Sequence, residues 1–362
     1  MSKLQELIQQ YCPDGVEYKE LSKILTIRNG KDYKMFQTGN IPVYGSGGIM
    51  TYIDTYAYNK PSVLIPRKGS IDKLYYVDTP FWNVDTIFYT EIDNTQILPR
   101  YLYHTLLREH LEQYNTAGGV PSLTQSVLNK IKIPVPPLEV QAEIVRILDT
   151  FTELTAELTA ELTARQKQYE YYRDSLLNFN HKIGGVQWVK LGEVTKILRG
   201  KRLTKSQLSE EYNIPVYHGG LEPLGYYTEY NRTANTVMII NVGASAGSVG
   251  FCRQNFWSSD GCFCIEHCEV IDRFLYYYLM TQEKYLKSKV RHAGIPTLDN
   301  KIVEMLKIPV PPLDVQQRIV EVLDNFEKIC TDLKIGLPAE INARKQQYEY
   351  YRDKLLTFER KN

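Results

Sequence analysis

The sequence predicts an α+β protein: two similar α/β domains and two long antiparallel coiled-coil helices, related by a pseudo-two-fold axis. Three observations predict it. Residues 131–151 read IKIPVPPLEVQAEIVRILDTF, and residues 306–326 read LKIPVPPLDVQQRIVEVLDNF. The run ARQKQYEYYRDSLLNF, Ala164 to Phe179, returns as ARKQQYEYYRDKLLTF, Ala343 to Phe358. Sparse landmarks then carry the repeat upstream of each copy. A repeat half the chain long is not a solenoid, whose units are shorter.

The first domain is expected over residues 1–137. Its opening, MSKLQELIQQY, has no apolar signal core and reads as a helix. Short β-rich runs such as SVLIP and KLYYV alternate with Gly-rich turns. Tyr, Leu and His recur at helical spacing near residues 99–114, and again near 273–289. A twisted, partly barrel-like sheet is expected in each domain.

Pro136-Pro137 ends a strand and opens the spacer helix, residues 138–180. Ile144, Ile147, Phe151, Leu154, Leu158 and Leu162 form a coiled-coil stripe. Residues 138–178 span about 60 Å as a helix. Within them, residues 155–162 read TAELTAEL. That run is either a slip tolerated in a helix or a ruler for the separation of the domains.

The second domain is expected over 181–312, with strands in TVMIINV and SVGFC. Gly15-Val16-Glu17-Tyr18 matches Gly185-Val186-Gln187-Trp188, and Leu21-Ser22-Lys23-Ile24 matches Leu191-Gly192-Glu193-Val194. Gly30-Lys31 matches Gly200-Lys201, Ile41 to Tyr44 matches Ile214 to Tyr217, and Phe81-Trp82 matches Phe256-Trp257. Gly119-Val120-Pro121-Ser122-Leu123 matches Gly294-Ile295-Pro296-Thr297-Leu298. Between landmarks the domains differ almost everywhere, as expected of one scaffold carrying two readers. A distal helix, 313–362, passes through Gly336-Leu337-Pro338, which should kink or break it.

Composition narrows the classes. The 362 residues are 43% hydrophobic, enough for two cores. No apolar run reaches the length of a membrane span, so a cytoplasmic protein with no membrane partner is expected. Cys12, Cys252, Cys262, Cys264, Cys268 and Cys330 form no disulfide framework. Cys262, Cys264, His267 and Cys268 lack the CxxC spacing of a zinc site, and the first two alternate along a strand toward one core. Net charge is only +1, yet residues 1–137 hold 14 Lys+Arg against 13 Asp+Glu, and 181–312 hold 16 against 12. The helical stretches hold 4 against 8 and 9 against 9. An anion-binding surface therefore belongs on the domains.

Together, the two IPVPPLxVQ segments, the two QYEYYRD segments, the TAEL units and the Gly-x-Pro-[ST]-Leu turns resemble the specificity subunit of type I restriction-modification enzymes. The resemblance covers nearly the whole chain. It implies two target recognition domains, each binding one half of a split double-stranded DNA site. It also implies helices that set the spacing and dock two methylation subunits, with up to two restriction subunits able to join. Adenine N6 would be methylated from S-adenosylmethionine held by the methylation subunit, and this chain would carry no catalytic site, cofactor or metal.

The chain's own motifs agree. There is no [NDS]-P-P-[YFW] tetrapeptide and no Walker A sequence, and no catalytic triad assembles from six scattered histidines. The Gly-rich runs at 44–48 and 243–248 lack dinucleotide-fingerprint spacing.

Candidate DNA contacts follow from residue type and place. Arg28, Lys31 and Lys34 fall at the same point of the repeat as Arg199, Lys201, Arg202 and Lys205. Loop cations there suit phosphate, or are simply solvated. Ser122 and Thr297 sit where a Gly-x-Pro turn meets a short helix, as N-caps with or without a phosphate. Base reading needs donors and acceptors in turns after strands: Tyr44, Ser46, Arg67 and Lys68 in the first domain, and Tyr217, His218, Asn241 and Ser245 in the second. Trp82 and Trp257 read as core packing rather than stacking platforms. For partner docking, the twin helical segments offer Tyr169, Tyr171, Tyr172 and Arg173, and Tyr348, Tyr350, Tyr351 and Arg352. The competing reading of the whole chain is a coiled-coil docking protein that does not bind DNA sequence-specifically.

Overall fold

The computed structural model describes residues 3–115, 118–179 and 186–361. Gly185 of the matched Gly15/Gly185 pair, and the expected boundary at residues 180 and 181, lie outside the described residues. The chain divides into two compact units: 1–159 with 340–362, and 160–339. The division falls inside the TAELTAEL run. Each unit therefore owns one domain, the helix segment that follows it, and a segment of the other long helix.

In the first unit, strands Leu25–Asn29, Ile87–Ile92, Ser62–Pro66 and Tyr75–Val77 form a four-stranded sheet in that order. Gly48–Ile53, Thr38–Gly45 and Trp82–Asn83 form a second sheet, and Tyr18–Glu20 pairs with Lys132–Pro134. The second unit repeats this. Lys196–Arg199, Cys262–Glu266, Thr236–Ile240 and Val249–Cys252 make four strands. Gly225–Tyr227, Ile214–Tyr217 and Trp257–Ser258 make three, and Gln187–Lys190 pairs with Lys307–Val310. In place of the single partly barrel-like sheet expected from sequence, each unit has a four-stranded, a three-stranded and a two-stranded sheet. The chain leaves the three-stranded sheet at Trp82–Asn83, turns through Val84–Thr86 with Ile87 N–H donating to Val84 O (3.2 Å), and enters the four-stranded one at Ile87.

The helices follow the sequence closely. The central helix runs Leu138–Leu176, starting just after Pro136-Pro137 as φ-restricted residues dictate. The distal helix is two pieces, Leu313–Thr331 and Leu337–Leu355. Gly336 lies between them, where an added Cβ would stand 2.7 Å from the carbonyls of Asp332 and Lys328, so only glycine fits the break. Pro338 then occupies the first turn, where its missing N–H costs nothing. The expected helices near 99–114 and 273–289 are Pro99–Arg108 with a short 3₁₀ turn, and Asp272–Thr281 with Glu283–Ser288.

The same side chains lock each domain to its helix. Gln141 is fully buried: its Oε1 accepts from Leu98 N–H (2.8 Å), and its Nε2 donates to Pro136 O (2.7 Å) and Gln96 O (2.9 Å). Gln316 repeats the clasp with Ile271 N–H (2.9 Å) and Pro311 O (2.8 Å). Arg100 forks onto Asp149, and Arg273 holds Asp324 and Glu327. Of the expected stripe only Ile144 is buried; Ile147, Phe151, Leu158 and Leu162 are half-buried and Leu154 is exposed, while Val140 and Leu148, outside that stripe, are buried beside Ile144. The chain's last described residues also join the first unit, Val16 N–H donating to Glu359 O (2.8 Å) and Lys361 N–H to Val16 O (3.1 Å). Among the described residues no helix is long and apolar enough to cross a membrane.

Candidate nucleic-acid interface

In the first unit the fully buried strand Ser62–Pro66 delivers Arg67, Lys68 and Gly69 to the surface. Gly69 takes φ +83, which glycine alone adopts without strain. The loop is then zipped to the Gly-x-Pro turn. Gly69 N–H donates to Pro121 O (3.0 Å), Leu123 N–H donates to Arg67 O (2.9 Å), and Lys68 lies across from Ser122. The second unit does the same after Thr236–Ile240. Gly243 (φ +92) N–H donates to Pro296 O (2.9 Å), Leu298 N–H donates to Asn241 O (2.8 Å), and Val242 faces Thr297. The fold thus brings together Arg67, Lys68 and Ser122, and separately Asn241 and Thr297.

Two expectations change here. Ser122 and Thr297 cap no helix. The caps are Thr124, which accepts from Val127 N–H, and Asp299, which accepts from Lys301 N–H (2.9 Å). Ser122 and Thr297 lie two residues earlier because they are held in the backbone bridges. Asn241 is not a surface reader. It is 2% exposed, and its Oδ1 has no hydrogen-bond partner.

The matched Gly-Lys pairs have a structural cause. Lys31 N–H donates to Asn83 O, and Trp82 Nε1 donates to Lys31 O (both 2.9 Å). Lys201 repeats this with Ser258 O (2.9 Å) and Trp257 Nε1 (2.7 Å). A Cβ on Gly30 or Gly200 would collide with the carbonyls that this close approach brings in. Both indoles are buried at 8% exposure, so the tryptophans are packing residues.

The backbone clamp leaves Lys31, Lys34, Lys201 and Arg202 exposed on the following loops, and Lys205 exposed at the start of the short 3₁₀ turn Lys205–Gln207. Lys31, Lys34, Met50 and Asp85 share one cleft. Arg28 and Arg199 are not equivalent. Counting from the matched glycines, Arg28 aligns with Leu198 and Asn29 with Arg199, so the two arginines sit on opposite strand faces. Arg28 pairs with Glu91 (3.0 Å), while Arg199 Nε donates to Asp260 O (3.1 Å).

The hairpin residues divide likewise. Tyr44 is half-buried against Tyr75 and Phe81, and burial pushes its hydroxyl pKa up. Tyr217 is 9% exposed, packed on Phe256, with its pKa also raised by burial; it is core, not a base contact. Ser46 and Ser245 are partly exposed, and His218 faces Ser259 (3.2 Å) and Asp260 (3.4 Å). Cys262 and Cys264 do face one core, with Cys252 and Phe256. Among the described residues, no group of three His, Cys, Asp or Glu is arranged to hold a metal.

On the helices, most of the aromatic set packs internally. Tyr351 stacks on Phe151 and Tyr172 on Phe326. Tyr348 O–H lies 2.9 Å from His104 Nδ1, Tyr169 is packed in the second core, and Arg352 is 8% exposed beside Asp353. Arg173 pairs with Asp174 (2.8 Å). Tyr171 and Tyr350, at 70% and 61% exposure, are the most open members of the set, with Tyr172 exposed to a lesser degree. Sequence reading did not single out Gln141, Gln316, Arg100, Arg273, Asp149 and Asp324. Their equal places in the repeat were the available signal.

The model of the type I restriction modification DNA specificity domain matches residues 13–165 and again 184–343. A putative type I restriction enzyme specificity subunit from Haemophilus influenzae is 33% identical, covering 95% of this chain and 96% of that protein. The type I restriction enzyme EcoR124I/EcoR124II specificity subunit of Escherichia coli is 31% identical, covering 99% and 97%. The crystal structure of a type I restriction-modification S subunit from M. genitalium shares the fold, with TM-score 0.68 at 18% identity over 94% of this chain and 96% of that one. With two matched domains and full-length relatives, the chain belongs to the type I restriction-modification DNA specificity family.

Proposed function

We propose that this chain is the non-catalytic DNA reader of a type I restriction-modification complex, binding a bipartite site with one half per unit. The observation that carries this is the contrast between frame and filling. Equivalent surface positions hold Lys68 in one unit and Val242 in the other, while the clamps around them match. One scaffold with two different faces suits two different half-sites.

The exposed lysines and arginines beside the clamps, Lys31, Lys34, Lys201, Arg202 and Lys205, would hold phosphates and set register. Ser46, Arg67, Lys68, His218 and Ser245 remain candidates for base edges. Two methylation subunits would dock through the helices, with Tyr171 and Tyr350 as anchors, and restriction subunits would join that core. S-adenosylmethionine would belong to the methylation subunit, which modifies adenine N6 after the base leaves the stack. The cytoplasm, where DNA is accessible, would be the compartment.

The test is a gel-shift titration of the full chain co-purified with its methylation subunit. Sequence-selective retardation is expected, with the purified chain alone inert toward S-adenosylmethionine and magnesium. A stable complex that retards all sequences equally would point instead to a docking protein.

A further inference from the structure

Val120 and Ile295 stand at the same point of the repeat, inside Gly-Val-Pro-Ser and Gly-Ile-Pro-Thr. They are 69% and 70% exposed. A lone exposed aliphatic is ordinary. The same one, to the same degree, in two domains whose surfaces otherwise diverge is not.

Both stand on rigid, projecting turns. A Cβ built on Gly119 or Gly294 meets no described atom within 4 Å, so the tips extend away from the body of each unit. Proline follows each aliphatic residue and fixes φ. The stems are zipped to the loops after the buried strands, as described above. In the second unit Thr297 Oγ1 also donates to Ile295 O (2.9 Å), and Arg291 and Thr297 exchange two backbone hydrogen bonds (2.9 and 3.1 Å). In the first, Ser122 N–H donates to Asn115 Oδ1 (2.9 Å).

Each tip has a cation beside it: Lys68 across from Ser122, and Arg291 across from Thr297. The nearby Asp299 carboxylate is committed to its helix cap. One aliphatic side chain with its proline is far smaller than a stable protein interface, which buries about 800 Å² per partner. It does match a single base-pair step, where apolar wedges such as Ile, Leu and Pro unstack bases.

We propose that Val120 and Ile295 are wedges, each entering a base-pair step of its own half-site and loosening the stack from which the target adenine must leave. This rests on the DNA-reading function proposed above, and deepens it by assigning positioning residues. The wedges touch no reacting atom; they act by lowering the cost of extrusion.

The experiment uses the full chain with its methylation subunit and duplexes carrying 2-aminopurine at the target adenine of one half-site or the other. Wild-type binding should raise fluorescence in both. Val120→Ala should abolish most of the rise, and slow methylation about tenfold, in one half-site alone; Ile295→Ala should do so in the other. Affinity for the whole site should change by less than about threefold, since phosphate contacts dominate it. Val120→Leu, which keeps an aliphatic tip, should restore the signal.

Selective binding with unchanged fluorescence in both variants would overturn the wedge alone. Loss of the methylation subunit on purification of Val120→Ala would make these tips protein contacts and overturn it too. A wild-type complex that binds no sequence selectively would overturn the recognition reading, and the wedge with it.

Discussion

Tyr351 stacks on Phe151 with ring centroids 5.2 Å apart and planes 17° from parallel. The pair joins the central helix to the distal one within the first unit, and Tyr172 on Phe326 repeats it in the second at 5.4 Å and 25°. The YEYYRD segment of each long helix thus serves the unit to which the other helix's first half belongs. Phe151→Ala removes a partly buried ring and its stacking, so it should lower the stability of the first unit by about 1–3 kcal/mol. Denaturant unfolding followed by tyrosine fluorescence would read this as a shifted early transition. An unshifted transition would mean the contact is incidental.

Gln141 satisfies backbone groups of three segments from a fully buried position. Gln141→Leu keeps the volume but leaves Leu98 N–H and the carbonyls of Gln96 and Pro136 without partners. The expected cost is about 2–4 kcal/mol, the penalty of several buried unsatisfied groups partly relieved by relaxation. A surface exchange such as Gln317→Leu, on the exposed helix face, should cost less than about 0.5 kcal/mol and serves as the reference.

His104 is fully buried between Asp149 Oδ1 (2.8 Å from Nε2) and Tyr348 O–H (2.9 Å from Nδ1). Burial pushes its pKa down, reinforced by Arg100 and Arg352 and opposed by Asp149. Burial pushes Asp149 up, but the hydrogen bonds from His104 and Arg100 outweigh it and leave its pKa lowered. A neutral imidazole then donates from Nε2 to the carboxylate and accepts from Tyr348 at Nδ1.

The folded-state pKa of His104 lies below the unfolded value of about 6.5, so the unfolded chain takes up the proton first. Stability contributed by this histidine is present above that value and is lost as pH falls toward the folded pKa. Asp149 adds nothing in this window, because its loss begins only near the unfolded carboxylate pKa of about 4. Melting temperatures of wild type and His104→Gln, compared from pH 7.5 to 5, should therefore diverge, with wild type losing more. Parallel curves would refute the assignment.

The TAELTAEL run is continuous helix, and the division between the units falls within it. Deleting Thr155 to Leu158 removes about 6 Å of helix and a little over one turn. The gap between half-sites should change by one or two base pairs of ~3.4 Å each, with both half-sites unchanged. Selection of sites from a randomised-gap library would measure it, and an unaltered gap would dispose of the ruler.

The repeat made much of this legible. The clasping helices, the break at Gly336-Leu337-Pro338 and the packed tryptophans all follow from residue type and spacing, because proline and glycine restrict the backbone locally. What failed depended on single-residue register or burial. Arg28 and Arg199 look equivalent at a glance but differ by one place, which in a strand reverses the face. Asn241 and Tyr217 resemble turn residues, yet Tyr217 ends a strand, Asn241 directly follows one, and both are still covered by their neighbours. Thr124 and Asp299 are cap-type residues directly before the short helices, whereas Ser122 and Thr297 stand out only through their matched places in the repeat. Val120 and Ile295 were visible as landmarks; only solvent exposure distinguishes them from core.

The proposed role of the chain is to select a split DNA sequence for methylation. The most direct measurement is co-expression with the adjacent methylation subunit, followed by single-molecule mapping of modified bases across the host genome. A new bipartite motif with one N6-methyladenine in each half is the predicted result. A soluble, co-purifying complex that adds no new motif would contradict it.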